Sequence, residues 1–201
     1  MCSAENARKF FNEHSQIWDD EINMGQIKRL KEIFSEKLSF VKPPFLDLGS
    51  GTGVLVPILK KYGNYSRDIF ELDIAYKMLH KAREKYKSEH LHYLLADAHK
   101  LPLCKNYFNT VLCFQVYPHF NNKYEVTREI YRTLKNGGRL IVLHLMGHRE
   151  LNELHRRAGR EVAEDRILAA QKLAEMIASA GFNIQHTEEK EDIYLIIAQK
   201  I

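Results

Sequence analysis

The chain has 201 residues, 45% of them hydrophobic, and a formal net charge of +4 from 30 basic and 26 acidic side chains interleaved along it. That length supports one domain that buries roughly two-thirds of its unfolded surface without a disulfide or metal staple. Cys2, Cys104 and Cys113 are odd in number, widely spaced and form no C-x-x-C pair, which excludes a disulfide framework or zinc knuckle and points to a reducing compartment.

Interleaved charge describes a solvated mixed surface, so no nucleic-acid partner is expected. The first residues lack the apolar core of a signal peptide and no later stretch approaches a membrane span, so a cytoplasmic location without a membrane partner is expected. There is no internal repeat, low-complexity tract or linker. A single domain over 1–201 is expected, with N-terminal helices over 1–42, a core over 43–145 and an insertion, last helix and final strand pair over 146–201.

In chain order, residues 5–38 carry apolar positions at helical spacing and predict two helices broken at Gly25. Pro43-Pro44 bars helix continuation, and Phe45-Leu46-Asp47-Leu48 then reads as a strand ended by Gly49-Ser50-Gly51-Thr52-Gly53. A helix follows, with Pro57 in or just past its first turn, where a missing N–H costs least. The alternation repeats as strand 68–73, helix 76–86, strand 91–95, strand 110–114, helix 123–134 and strand 140–145, with Asn136-Gly137-Gly138 ending the last helix. A helix over 162–180, carrying Ile167, Ala170, Ala174 and Ile177 on one face, precedes strands 182–186 and 193–198, suited to an antiparallel hairpin. Such alternation predicts an α/β fold on a parallel sheet.

A glycine turn between a first strand and its helix lets backbone approach a ligand and leaves N–H groups free. Here a dinucleotide G-x-G-x-x-G fingerprint begun at Gly49 would need glycine where Val54 stands, and no G-K-[ST] follows. Asp47, inside the strand, can accept hydrogen bonds from turn N–H groups or, directly or through water, from a ligand ammonium. Asp73 closes the second strand, where a carboxylate can accept from both hydroxyls of a ribose; Glu71, two residues earlier on the same face, is its rival. Asp97 follows the third strand, placed to accept from an adenine amino group while the Ala98 N–H donates to the ring.

Together these residues resemble the class I S-adenosylmethionine-dependent methyltransferases, in particular the branch that includes the ubiquinone/menaquinone-biosynthesis enzymes. The match runs from about Phe45 to Leu145 through the glycine segment, Asp73-Ile74 with Met78-Leu79, Asp97-Ala98 with Leu101-Pro102, and Leu134-Lys135-Asn136-Gly137-Gly138, where Asn136 replaces a common proline. The resemblance implies a three-layer α/β/α Rossmann-like seven-stranded sheet, mostly parallel, with an antiparallel last strand inserted among the others. It also implies S-adenosyl-L-methionine as cofactor, held by Asp47, Gly49, Ser50, Gly51, Gly53, Asp73, Ile74, Met78, Asp97, Ala98, Phe114 and Gln115. Within that set Ile74 and Met78 pack on the adenine, while Phe114 and Gln115 lie beside the methionine part.

Phe114-Gln115-Val116-Tyr117-Pro118-His119-Phe120 carries neither the Asn/Asp-Pro-Pro-aromatic signature of amino methylation nor a Pro-Cys nucleophile, so a small-molecule acceptor is expected. Methyl transfer needs the acceptor held in line, and a base only if the acceptor loses a proton. His119 and His144 follow the fourth and fifth strands and are the catalytic candidates; Trp18, Tyr117 and His155 are the candidates for binding acceptor. His155-Arg156-Arg157 with Arg160 reads as a solvated face, and no ligand spacing predicts a metal. Phe10, Phe11 and Trp18 belong to a lid or to a permanently docked helix. A monomer or homodimer is expected. The rivals are a non-catalytic S-adenosylmethionine-binding protein and a nicotinamide-dependent oxidoreductase.

Overall fold

A computed structural model describes residues 4–21, 23–62, 68–158 and 162–201, so Cys2 and Arg160 lie outside the described residues. Its strands are β1 (Phe45–Leu48), β2 (Ile69–Asp73), β3 (Leu91–Leu95), β4 (Phe108–Phe114), β5 (Leu134–His144), β6 (Phe182–Lys190) and β7 (Ile193–Lys200). Its helices are α1 (Ala4–His14), α2 (Met24–Lys37), α3 (Val56–Tyr62), α4 (Tyr76–Lys85), α5 (Lys123–Thr133), α6 (His148–Arg157) and α7 (Ala170–Ser179).

The strands form one sheet in the order β3-β2-β1-β4-β5-β7-β6. β1 to β5 run parallel, as the alternation predicts, and β7 runs antiparallel between β5 and β6, as the resemblance implies. The central strands are buried on both faces and read as near-continuous apolar runs, the signature of a parallel sheet covered by helices. One face, with Phe45, Leu112, Ile141 and Leu195, packs on Leu30, Ile33 and Phe34 of α2 and Val56 and Leu59 of α3. The other, with Leu46, Val111, Leu140 and Ile196, packs on Val126 and Ile130 of α5 and Leu173 and Ile177 of α7. The chain leaves β1 toward β2 and later crosses to β4 on the opposite side, so a switch point opens at the carboxyl end of β1. Among the described residues no helix is long and apolar enough to cross a membrane.

The structure corrects several sequence expectations. The break between the first helices is not Gly25, which lies in the first turn of α2. Asn23 caps that helix instead: its Oδ1 accepts from Gln26 N at 3.0 Å and its N–H donates to Gln26 Oε1 at 3.0 Å, a reciprocal capping box legible as Asn-x-x-Gln. The predicted helix 162–180 forms only over α7. Asn152 on α6 takes both backbone groups of Ile167, donating to its carbonyl at 3.0 Å and accepting from its N–H at 2.9 Å, which holds the preceding segment out of helix. Ile167 is buried all the same. The insertion itself contains α6, and Glu189 accepts from the N–H of His148 and of Ala170 (2.8 Å each), placing one carboxylate at the N-termini of both α6 and α7. Asn136-Gly137-Gly138 lies within β5, which starts at Leu134 and shifts register against Phe108 and Thr110.

Asn152→Ala should strip the Ile167 backbone of both partners and cost ~1–2 kcal/mol, lowering Tm by roughly 2–8 °C for a chain of this size. Thermal unfolding followed by circular dichroism measures it; an unchanged Tm would show that Asn152 does not hold this segment.

Candidate functional site

A cleft opens over the carboxyl ends of β1, β2 and β4, at the switch point of the sheet. The glycine turn forms one wall. Gly49 and Ser50 donate their N–H groups to the Leu72 carbonyl at 2.8 and 3.1 Å, fixing the turn to the end of β2. Gly49 has φ +75°, and a Cβ there would stand 2.2 Å from Val116 Cγ2, so no side chain fits between the turn and the loop after β4.

Asp73 ties the second loop to the first: Oδ2 accepts from Gly51 N at 2.9 Å and Oδ1 from Ala75 N at 2.8 Å. Burial raises its pKa, while those N–H bonds and the nearby His119 oppose the rise. Asp73 lines the cleft and its rival Glu71 does not. Asp47 sits opposite Glu71 in the β1–β2 register, and each is almost wholly buried. Neither carboxyl has a hydrogen-bond partner among the described residues. Asp47 is among the residues that line the cleft. Desolvation, reinforced by Asp73, pushes its pKa up to about 8; desolvation and then Asp47 push that of Glu71 well above the ordinary range.

The remaining expected cofactor residues largely converge. Ile74, Met78, Asp97, Ala98, Phe114 and Gln115 line the cleft, as does Ser50. Asp97 Oδ1 accepts from the His99 N–H at 2.9 Å and pairs with His99 Nδ1 at 2.6 Å, which leaves Oδ2 for a ligand. Gly53 is the exception. It has φ +80° and packs under α4, where an added Cβ would meet the Tyr86 ring at 3.1 Å, so it serves helix packing and not the cleft.

The histidines separate. His119 lines the cleft, but His144 is fully buried outside its lining, edge-on to Tyr194 at 5.6 Å, with neither ring nitrogen partnered among the described residues. Desolvation first, then His119 and His155, depress its pKa to about 3, so the imidazole is neutral at physiological pH and has no path to an acceptor. The expectation that His144 shares the acceptor pocket is therefore wrong. Alternation along β5 puts it on the face of Leu140 and Val142, toward the α5–α7 layer. Tyr117 is likewise core: it is fully buried and its hydroxyl pairs with Thr127 Oγ1 at 2.5 Å. His155 stands behind His119, ring centroids 4.9 Å apart, and its Nδ1 pairs with the Asp165 carbonyl at 2.9 Å instead of facing the cleft. Arg156 and Arg157 both bond Glu153, in keeping with a solvated face.

Trp18 lines the cleft as expected, together with Phe11 and Ala7 of α1. Phe11 stands edge-on to Trp18 at 5.3 Å and to His119 at 4.9 Å, giving the cleft an aromatic end. Asp19 fastens this wall, accepting from Thr52 Oγ1 at 2.6 Å and pairing with Lys85, while Lys81 donates to the Gln16 carbonyl at 2.9 Å. Val116 against Gly49, the His99–Asp97 pair and the Asp19–Thr52 bond were not anticipated. Each joins residues distant in sequence or depends on a side-chain direction that a one-dimensional pattern does not carry. Among the described residues no group of three or more His, Cys, Asp or Glu is placed to hold a metal ion.

Residues 46–142 match the family described as a methyltransferase domain. The chain is 32% identical over 130 residues to the ubiquinone/menaquinone biosynthesis C-methyltransferase UbiE of Vibrio cholerae, covering 62% of this chain and 50% of that protein. It thus spans about half the length of the curated relatives it matches. A solved SAM-dependent methyltransferase from Aquifex aeolicus superposes with a TM-score of 0.66 at 17% identity, over 90% of this chain and 100% of that one. The 4+2 cyclase SpnF superposes with a TM-score of 0.67 at 20% identity, over 86% and 80%. At those identities the superpositions show the fold alone.

The unfolded chain ionises Asp47 near the ordinary carboxylate value of ~4, whereas the folded chain holds it neutral up to about 8. The stability this gives is full at acid pH and lost as pH rises through about 8. Asp47→Asn removes the charge at nearly constant shape, so its Tm should rise relative to the wild type as pH goes from 5 to 8. Parallel Tm curves across that range would mean that Asp47 is not held neutral in the folded chain.

Proposed function

We propose that this chain is a class I S-adenosylmethionine-dependent methyltransferase that transfers a methyl group to a small-molecule acceptor bound at the aromatic end of the cleft. The observation that carries the reading is the Asp47 carboxyl, buried without a partner in the floor of the cleft beside the glycine turn. A buried carboxyl left unsatisfied is costly, and a ligand ammonium would supply the N–H donors it lacks and a positive charge that favours its ionised form.

The other residues suit the same cofactor. Each Asp73 oxygen accepts one backbone N–H, and a carboxylate has about four acceptor positions, leaving capacity for two ribose hydroxyls. Asp97 Oδ2 and the Ala98 N–H suit an adenine edge, and Ile74 and Met78 give apolar surface for its ring. When bound, the cofactor supplies a methyl group on a positively charged sulfur. Phe11, Trp18 and His119 then hold the acceptor and exclude water, and orientation contributes much of the rate enhancement. In this reading α1 and the Trp18 turn are a lid that must part from Thr52 and Lys85 for exchange. Val54, standing where a dinucleotide fingerprint needs glycine, weighs against nicotinamide.

The test pairs calorimetric titration with S-adenosylhomocysteine and NAD with a radiolabelled methyl-transfer screen over small oxygen, nitrogen, sulfur, carbon-acid and metalloid nucleophiles. Binding of S-adenosylhomocysteine but not NAD, with label transferred, is expected. Binding without transfer to any acceptor would favour a non-catalytic cofactor-binding protein. Asp73→Asn should weaken S-adenosylhomocysteine binding ten- to a hundredfold, ~1.5–3 kcal/mol, in a folded variant. Unchanged affinity would remove Asp73 from the site.

A further inference from the structure

We propose that Asp165 is a positioning residue that fixes His119 as the proton acceptor of the cleft, and that the methyl acceptor is therefore a protic nucleophile. The proposal rests on the cleft being a methyl-transfer site. His119 Nδ1 lies 2.6 Å from Asp165 Oδ2, with the two side chains only 9% and 4% exposed. His119 faces the cleft and Asp165 does not.

Both ends of this pair are fixed from behind. The Asp165 N–H donates to the Val162 carbonyl at 2.9 Å and its carbonyl accepts from His155 Nδ1 at 2.9 Å. Two residues on, Asn152 pins Ile167. On the other side, Lys123 Nζ donates to the carbonyls of Pro118 (3.0 Å) and Phe120 (2.8 Å), the residues flanking His119, and its charge attracts Asp165. The Phe11 ring edge and the His155 ring, each 4.9 Å from the His119 centroid, restrict the imidazole further.

A carboxylate on Nδ1 selects the tautomer that donates from Nδ1 and leaves the Nε2 lone pair available to the cleft. It also stabilises the imidazolium formed when Nε2 takes a proton. His99 also lines the cleft with its Nδ1 on Asp97, but its Nε2 accepts from the Asn122 N–H at 3.4 Å; His144 is held neutral by burial and His155 is shifted the same way, so none of the three offers the cleft a free Nε2 lone pair as His119 does. An acceptor with no proton to lose, such as a thioether, a tertiary amine or an anion already deprotonated, needs no such base. The arrangement suits a hydroxyl, thiol, N–H or acidic C–H that gives its proton to Nε2 as its bond to the methyl carbon forms. The methyl–sulfur bond breaks in the same step, its electron pair stays on sulfur, and neutral S-adenosylhomocysteine leaves.

The test uses the full chain with 15N-labelled histidine. Ring-nitrogen spectra at pH 8, assigned through His119→Gln, should show His119 protonated on Nδ1 and bare on Nε2. Asp165→Asn should lose that tautomer preference while binding S-adenosylhomocysteine within twofold of the wild type. With an acceptor from the screen, Asp165→Asn should lower kcat by on the order of 10²- to 10⁴-fold with KM nearly unchanged, and Asp165→Glu should restore part of it. An Nε2–H tautomer in the wild type, or the same tautomer in wild type and Asp165→Asn, overturns the proposal whatever the screen gives. If Asp165→Asn does not fold, the wild-type tautomer and the Asp165→Glu kinetics decide. A wild type that transfers label to no acceptor overturns the transfer reading itself, and the tautomer measurement reports on the pair separately.

Discussion

The hydrogen bonds of Asp73 hold the functional end of this molecule together. One carboxylate accepts from the turn after β1 and from the turn after its own strand, so two loops that would otherwise be independent become one wall. Everything around the cleft is referenced to that wall: Val116 packs against Gly49, and Asp19 reaches Thr52. The cost is electrostatic. Asp47, Glu71 and Asp73 crowd three carboxyls into the ends of two adjacent strands, two of them with no partner among the described residues. A fold selected for stability alone would replace such groups with apolar ones, since buried polar groups left unpaired destabilise. Asp47 and Asp73 line the cleft and Glu71 does not.

Much of this was legible in the sequence, for physical reasons. Parallel strands buried on both faces appear as short apolar runs, and the glycine segment falls between a strand and a helix where only close backbone approach needs it. Those two patterns lead to the sheet and to most of the cleft wall. They fail for His144, because being at the end of a strand does not say which face a side chain takes. Alternation with Leu140 and Val142 says that it enters the core. Tyr117 fails differently: the chain turns at a 3-10 segment, Tyr117–His119, and only His119 of its two aromatic ends reaches the cleft. Gly53 belongs to the motif by spacing but answers to Tyr86, a contact across 33 residues that spacing cannot express.

Asp165 was out of reach for a third reason. Its segment has the apolar spacing of a helix, and Ile167 is buried as that spacing requires, yet Asn152 supplies hydrogen bonds that hold it out of helix. Local periodicity and tertiary capping compete there, and capping prevails. The result is a polar layer behind the cleft in which only the outermost imidazole, His119, is accessible. His155 holds the Asp165 backbone and His144 fills core volume.

The wall made by α1 and the Trp18 turn has two sides of unlike character. Inside, Phe11 and Trp18 meet the cleft with aromatic surface; outside, Asp19, Lys85 and Lys81 hold it through partly exposed charges. Mobile ions screen exposed charge pairs over a Debye length of ~8 Å at physiological ionic strength, whereas apolar contact is not weakened in that way. The two halves of the attachment therefore respond differently to the medium. Rising salt weakens the outer fastening while leaving the inner contact intact, so the ionic composition around the molecule bears on how tightly this wall is held.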